Sequence, residues 1–81
     1  MYYDFTEMPV WKLAMNYAVA IFNLTINLPK QEDYALTSQI RRSSVSVSDN
    51  IAEGFGRETS TDKKRFYIMS RGSLLESKSQ L

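Results

Sequence analysis

An uncharged stretch spans residues 13–28 of the 81-residue chain. Its apolar residues recur at helical spacing and predict a first helix over residues 9–27, with Pro9 in the first turn, where no N–H is needed. The predicted core stripe consists of Val10, Leu13, Ala14, Tyr17, Ile21, Leu24 and Leu28. Other apolar residues surround this stripe, and a helix that is apolar nearly all round is buried on more than one side. In so short a chain, we expect the second side to meet another copy of the protein.

A membrane anchor or a signal peptide is the alternative interpretation of this stretch. A membrane-spanning helix needs about 20 apolar residues, whereas this stretch is shorter and contains Asn16, Asn23 and Asn27. Asp4 and Glu7 precede it, although a secretory signal begins with positive charge. The sequence therefore predicts a soluble helix and no membrane contact. The chain has no cysteine and so forms no disulfide, which fits the cytoplasmic location that we expect.

Two further helices are predicted, over residues 31–54 and 61–81, the second helix following the turn at Pro29. One face of the second helix carries Leu36, Ile40, Ser43, Ser44, Val47, Ile51 and Gly54. No segment shows the period-two alternation of a strand, so the predicted fold is all-α, in a single domain over residues 1–81.

Short signals punctuate the second half of the chain. The run Gly54-Phe55-Gly56 is expected to end the second helix, because glycine readily adopts the left-handed conformation of helix C-termini. Caps for the third helix are offered by Thr59, Ser60 and Thr61. The helical pattern of the third helix, which includes Phe66 and Leu74, still continues at Leu81, where no cap, glycine or proline follows. We therefore expect that a fourth helix is missing from this chain.

The absence of both cysteine and histidine limits the chemistry that the chain can perform. It excludes disulfides, thiolate catalysis, zinc fingers and histidine-based catalytic triads. Three weaker arrangements remain: the carboxylates of Glu53 and Glu76, the adjacent pair Ser77-Lys78, and a phosphate loop at Gly54-x-Gly56. The glycine pair lacks the preceding strand that a phosphate loop requires, and a helix C-cap explains it better. Ion pairing with nearby arginines explains the two glutamates, and Ser77 and Lys78 face apart on a helix because they are adjacent. We predict no enzymatic activity, no cofactor and no metal.

Charge is unevenly distributed, although the net charge is only +1. Residues 1–40 hold two basic and four acidic side chains, and residues 41–81 hold eight basic and five acidic ones. The candidate nucleic-acid-binding residues in the basic half are Arg41, Arg57, Lys63, Lys64, Arg65 and Arg71. Basic side chains follow phosphates, and the neighbouring aromatic residues Phe66 and Tyr67 can stack on bases. A solvated charged surface and head-to-tail association of copies are the alternatives.

Residues 39–54, QIRRSSVSVSDNIAEG, closely resemble the signature of the bacterial 23S rRNA intervening-sequence proteins, also called the S23 or four-helix-bundle family. The agreement extends over essentially the whole chain, through Val10-Trp11, Leu28-Pro29, Gly56-Arg57 and the run from Arg71 to Glu76. The resemblance implies an antiparallel up-and-down four-helix bundle, often assembled as a pentamer, of which this chain contains about three helices. It implies no catalytic activity. Related accessory proteins of diversity-generating retroelements bind nucleic acid and a reverse transcriptase.

The family pattern also marks individual positions as structural: Arg42, Asn50, Glu53, Gly54, Gly72, Ser73 and Glu76. We expect Arg42 and Glu53 to pair, either across the second helix or between copies. Asn50 and Ser73 are expected to donate hydrogen bonds between closely packed helices, and Gly72 to permit that close approach.

The sequence thus favours a non-enzymatic, self-associating helical bundle that binds RNA, DNA or a ribonucleoprotein through its basic surface. The alternative is a protein–protein interaction module that does not bind nucleic acid.

Overall fold

The computed structural model describes residues 1–26 and 34–81 and has one short 3-10 turn and three α-helices. The 3-10 turn is Phe5–Glu7, and the α-helices are α1 (Pro9–Thr25), α2 (Tyr34–Phe55) and α3 (Ser60–Ser79). No strand occurs among the described residues, so the all-α prediction is confirmed. The predicted turn at Pro29 and the predicted start of the second helix at residue 31 lie outside the described residues.

The helices run up, down and up, so that neighbours in sequence are antiparallel. Arg41, near the start of α2, donates a hydrogen bond of 2.8 Å to the hydroxyl of Thr25 at the end of α1. Ser70, in the middle of α3, donates one of 2.7 Å to the carbonyl of Val47 in the middle of α2. α2 therefore packs along both other helices and forms the centre of this three-helix arrangement.

The core lies where all three helices meet. Ala14 of α1 packs with Val47 and Ile51 of α2, and partly buried apolar side chains close the cluster from the sides: Met8, Trp11 and Leu74. The rings of Trp11 and Phe5 meet edge to face, with their centroids 5.3 Å apart. The N-terminal turn is thereby held against the start of α1.

The buried face of α1 differs from the predicted stripe. Pro9 begins the helix, as predicted, but its buried residues are Ala14, Ala18, Ile21 and Thr25. Val10, Leu13 and Leu24, which were expected in the core, are 50–67% exposed. The buried face is thus rotated around the helix toward the alanines, because small side chains at the contact allow α2 to approach closely. Apolar residues remain exposed on both flanks of α1.

The predicted face of α2 is confirmed except at its first residue. Leu36 is exposed, whereas the remaining members of the face are buried: Ile40, Ser43, Ser44, Val47, Ile51 and Gly54. Ser48 is also buried, and α3 contributes two more buried serines, Ser70 and Ser77. We call Ser43, Ser44, Ser48, Ser70 and Ser77 the buried serines. Four of these hydroxyls donate to a backbone carbonyl, and the fifth, that of Ser43, donates to the side chain of Gln80, so none is left unpaired.

α2 ends within Gly54-Phe55-Gly56, as predicted, but not through a glycine in the left-handed conformation. No glycine among the described residues has a positive φ, and Gly54 lies inside the helix, which continues to Phe55. A Cβ atom at Gly54 would lie 2.7 Å from Cε1 of Tyr67 and 3.1 Å from Cβ of Phe66. Glycine is therefore required here because α3 passes too close for a side chain.

An apolar groove separates α1 from α3 along one side of the molecule. Val47 and Ile51 of α2 form its floor, and its volume is about 550 Å³. The walls are lined by Val10, Leu13 and Tyr17 of α1, and by Tyr67, Arg71 and Leu74 of α3. Tyr17 and Ser77 join the two walls through a hydrogen bond between their hydroxyls. The groove leaves apolar surface of both helices open to solvent.

Candidate nucleic-acid interface

Most of the predicted basic residues are brought together by the turn between α2 and α3. After Phe55 the chain reverses direction, and the N–H of Arg57 donates to the carbonyl of Gly54 at 3.2 Å. Thr59 then caps α3, because its hydroxyl accepts a hydrogen bond of 3.1 Å from the N–H of Asp62. One of the three predicted caps is thereby confirmed. The turn places Arg57 beside the first turns of α3, where Lys63, Lys64 and Arg65 follow one another.

Lys63 has a structural role in this arrangement. Its ammonium group donates to the carbonyl of Phe55 at 2.7 Å and lies 3.4 Å from that of Gly54. These carbonyls belong to the C-terminal turn of α2, where the helix dipole is negative and a cation is favourable. Lys63 therefore closes α2 from the neighbouring helix, and its charge is already in use within the chain.

Arg57 and Arg65 converge on one aromatic ring. Their guanidinium carbons lie 4.5 Å and 5.3 Å from the ring centroid of Phe66, which is itself buried. Cation–π attraction holds both guanidinium groups near the ring, while their N–H edges remain able to donate. Arg57 also forms an ion pair of 3.2 Å with Glu53, although the side chains of both residues are largely exposed. Such an exposed pair contributes little and exchanges readily for another anion.

Lys64 and Arg71 are exposed on the adjacent surface of α3. They line a shallow hollow of about 350 Å³ together with Tyr67 and Ile68. We define the basic turn patch as Arg57, Lys64 and Arg65, the members that are close to the turn and have side chains directed to solvent. Arg71 lies further along α3, by about 10 Å at an α-helical rise of about 1.5 Å per residue.

Arg41 does not join the other basic residues. It lies at the opposite end of α2, roughly 24 Å from Arg57 at 1.5 Å per residue. Its Nε donates to the hydroxyl of Thr25, and its guanidinium carbon lies 4.8 Å from the ring centroid of Phe22. The prediction that Arg41 belongs to the same basic surface is therefore wrong, because this side chain joins α2 to α1.

Three of the family-marked positions meet in a second, polar pocket between α2 and α3. Arg42, Ser73 and Glu76 line this pocket, which has a volume of about 310 Å³. Periodicity did not single out the two glutamines that complete it, Gln39 and Gln80. The carbonyl oxygen of the Gln80 side chain accepts a hydrogen bond of 2.8 Å from Ser43 and so links the two helices. Gln39 begins the family-like segment 39–54, whereas only the contact between α2 and α3 identifies Gln80.

Other expectations for the family-marked positions need correction. Glu53 pairs with Arg57 rather than across α2 with Arg42, because eleven residues separate Arg42 from Glu53 by about 16 Å along the helix. Asn50 donates to the carbonyl of Ser46 in its own helix and not to a neighbouring helix. Gly72 is exposed, and a Cβ there would meet no atom within 4 Å, so no helix of the described chain approaches it closely.

The described part of the chain contains neither a cluster of metal ligands nor a membrane-spanning helix. Within residues 1–26 and 34–81, no three acidic side chains come close enough to hold a metal ion together. None of the helices in these two ranges combines the length and the apolarity that crossing a bilayer requires.

Comparison with known proteins identifies the family. The sequence profile of the 23S rRNA-intervening sequence proteins matches residues 6–81, a region that includes all three described helices and all the segments that carry the resemblance. Comparison with individual curated proteins gives no match. The profile describes small helical proteins and is not that of a known enzyme family. The chain belongs to the 23S rRNA-intervening sequence protein family.

Proposed function

We propose that this chain is a non-enzymatic, self-associating helical protein that binds the phosphate backbone of RNA or DNA, alone or within a ribonucleoprotein, through the basic turn patch. We propose the bacterial cytoplasm as its location. The observation that carries the proposal is the position of Arg57 and Arg65 over the single ring of Phe66. The side chains are held before a ligand arrives, which lowers the entropy cost of binding.

Backbone contact fits the modest charge of the chain better than sequence-specific recognition. A guanidinium group donates to two phosphate oxygens at once, and Lys64 adds a further cation beside the pair. Such contacts position a protein on nucleic acid without distinguishing bases. The net charge of +1 means that binding depends on this local patch and not on a general attraction of the whole molecule.

The double substitution Arg57→Gln and Arg65→Gln is expected to weaken binding of labelled RNA or duplex DNA by about tenfold or more at low salt. Each lost phosphate contact lowers the slope of log affinity against log salt by about 1, so the slope should fall by about 2. Fluorescence anisotropy titrations at several sodium chloride concentrations measure both quantities.

A double substitution of equal charge change, Lys12→Gln with Arg42→Gln, is the matched control, since both residues are exposed and lie outside the patch. It should leave the slope within experimental error of the unaltered protein. Equal losses in the two double variants would show that only net charge matters. No binding of the unaltered protein at low salt would rule out nucleic-acid contact.

Self-association is supported by the apolar surface that the three helices leave uncovered. Leu13 is 67% exposed at the groove, and Val19 and Ile26 are 53% and 71% exposed on the other flank of α1. Burial of such side chains stabilises a contact by roughly 25 cal/mol for each Å² removed from water. We expect light scattering to give a multiple of the 9.4 kDa chain mass, with a pentamer as the proposed assembly. A mass of one chain at all concentrations would contradict this part of the proposal.

The groove between α1 and α3 favours a second candidate function, that of a protein-interaction module without nucleic-acid contact. Its apolar walls have the character of surfaces that bind an amphipathic helix. The anisotropy titrations distinguish the two functions, because the second predicts no salt-dependent binding of RNA or DNA.

A further inference from the structure

α3 carries two rows of side chains on opposite flanks, with its buried stripe facing α2. We define the basic row as Lys64, Arg71 and Lys78. We define the acidic row as Asp62, Met69 and Glu76. Members of each row are seven residues apart, so each row advances about 10.5 Å per step and drifts by only about 20° around the helix. The two rows lie roughly 160° apart at 100° per residue.

The charges of these rows are not neutralised by ion pairs within the described chain. Among residues 1–26 and 34–81, the ion pair within 4 Å is that of Glu53 with Arg57. Glu76 lines a pocket with Arg42 without forming such a pair. In the basic row, the positions three and four residues away hold no carboxylate, so no pairing along the helix is available either.

The spacing of the two rows is the same. Lys64 and Lys78 are fourteen residues apart, as are Asp62 and Glu76, which corresponds to about 21 Å along the helix. When two α3 helices lie side by side, both lysines of one copy can therefore meet both carboxylates of the other at the same time. Arg71 then lies opposite Met69, whose sulfur and methylenes can pack against the stem of the arginine.

Exposed apolar residues on the same flanks would be covered by this contact. Ile68 and Leu75, beside the basic row, are 58% and 54% exposed, and Met69 is 44% exposed. Gly72 lies between the flanks, and a Cβ at this position would meet nothing within 4 Å. The apolar contacts matter because an exposed ion pair alone contributes little to association.

We infer that a second copy of this chain docks its acidic row on the basic row of the first, in a direct contact between two α3 helices. The inference rests on the proposed self-association and names the surface responsible. In the assembly Lys64 faces a carboxylate of the next copy, and Arg57 and Arg65 of the basic turn patch remain for the phosphate backbone. Since the two rows are different surfaces, the contact is head to tail, and each copy keeps one row for a further neighbour. A contact of this type builds a ring or a filament rather than an isolated symmetric dimer.

Charge reversal and complementation test the contact. The variant Lys64→Glu with Lys78→Glu, and the variant Asp62→Lys with Glu76→Lys, are each expected to associate at least about tenfold more weakly than the unaltered protein, because like charges then face each other. An equimolar mixture should recover a large assembly, since the reversed rows complement each other. Light scattering of each variant and of the mixture measures the masses, and circular dichroism confirms that the helices are retained.

The single reversal Asp49→Lys, at an exposed position of α2, is the control and should keep the unaltered mass. Raising sodium chloride to about 1 M should also lower the mass of the unaltered protein, a measurement that needs no variant. The inference would be overturned if both charge-reversed variants kept the mass of the unaltered protein, or if their mixture did not regain a large assembly. Self-association itself would still stand. An unaltered protein that is always a single chain would overturn both.

Discussion

Replacing Ser44 with leucine is expected to lower the free energy of unfolding by about 3 kcal/mol, near the upper end of the cost of overpacking a core. The Ser44 side chain has no exposed surface at all, so three additional carbon atoms have no open space to enter. The helices must separate or adjacent side chains must leave their rotamers. Thermal unfolding followed by circular dichroism should show a Tm lower by roughly 12–24 °C, at 4–8 °C per kcal/mol.

Two control variants separate the cost of overpacking at Ser44 from two other changes: the loss of the serine hydroxyl, and the introduction of leucine into a helix. Ser44→Ala should change stability by less than about 0.5 kcal/mol, because the hydroxyl donates only to the Arg41 carbonyl of its own helix, and alanine favours helix more than serine does. Ser79→Leu introduces the same side chain at an exposed site near the end of α3 and should be nearly neutral. A tolerated Ser44→Leu would mean that the buried serines do not set the helix separation.

Gly54→Val is expected to cost about 2–3 kcal/mol of folding stability. Its Cβ would lie within 3.1 Å of three atoms: Cε1 and Cδ1 of Tyr67, and Cβ of Phe66. The Tyr67 ring can turn toward solvent, but the Phe66 Cβ is fixed to the backbone of α3. The end of α2 must therefore move away from α3, and denaturant titration would record the change as a lower midpoint.

The same substitution at Gly72 provides the matched control. Nothing lies within 4 Å of a Cβ at Gly72, and valine is a better helix former than glycine, so Gly72→Val should stabilise the free chain by a few tenths of a kcal/mol. A similar loss of stability at both glycines would show that helix propensity, and not the distance between α2 and α3, governs the response.

The sequence predicted the buried face of a helix most accurately where the apolar and small residues of that helix were confined to one side. In α2, apolar residues and serines share a narrow face, and every residue of that face except Leu36 is buried. In α1, the apolar residues surround most of the helix, so periodicity alone did not determine which side α2 covers. α2 covers the side of α1 that carries Ala14 and Ala18, because small side chains shorten the distance between the two helices. This distance depends on both helices and cannot be read from the pattern of α1 alone.

For the candidate site, the sequence predicted which residues are basic but not how each is used. Lys63 and Arg41 have the same local character as Lys64, yet both are engaged by backbone or side-chain oxygens of neighbouring helices. Gly54 was expected to adopt a special backbone conformation, whereas its requirement arises from contact with α3. In each case the deciding partner is distant in sequence, beyond the window over which a pattern can be recognised.

The central position of α2 has a consequence for synthesis on the ribosome. α1 is made first, with apolar residues nearly all round, but the helix that buries its Ala14, Ala18 and Ile21 face emerges only later. During that interval the nascent chain exposes its most apolar segment without a partner, a condition in which aggregation competes with folding. Once α2 has emerged, α1 has the surface on which it can pack.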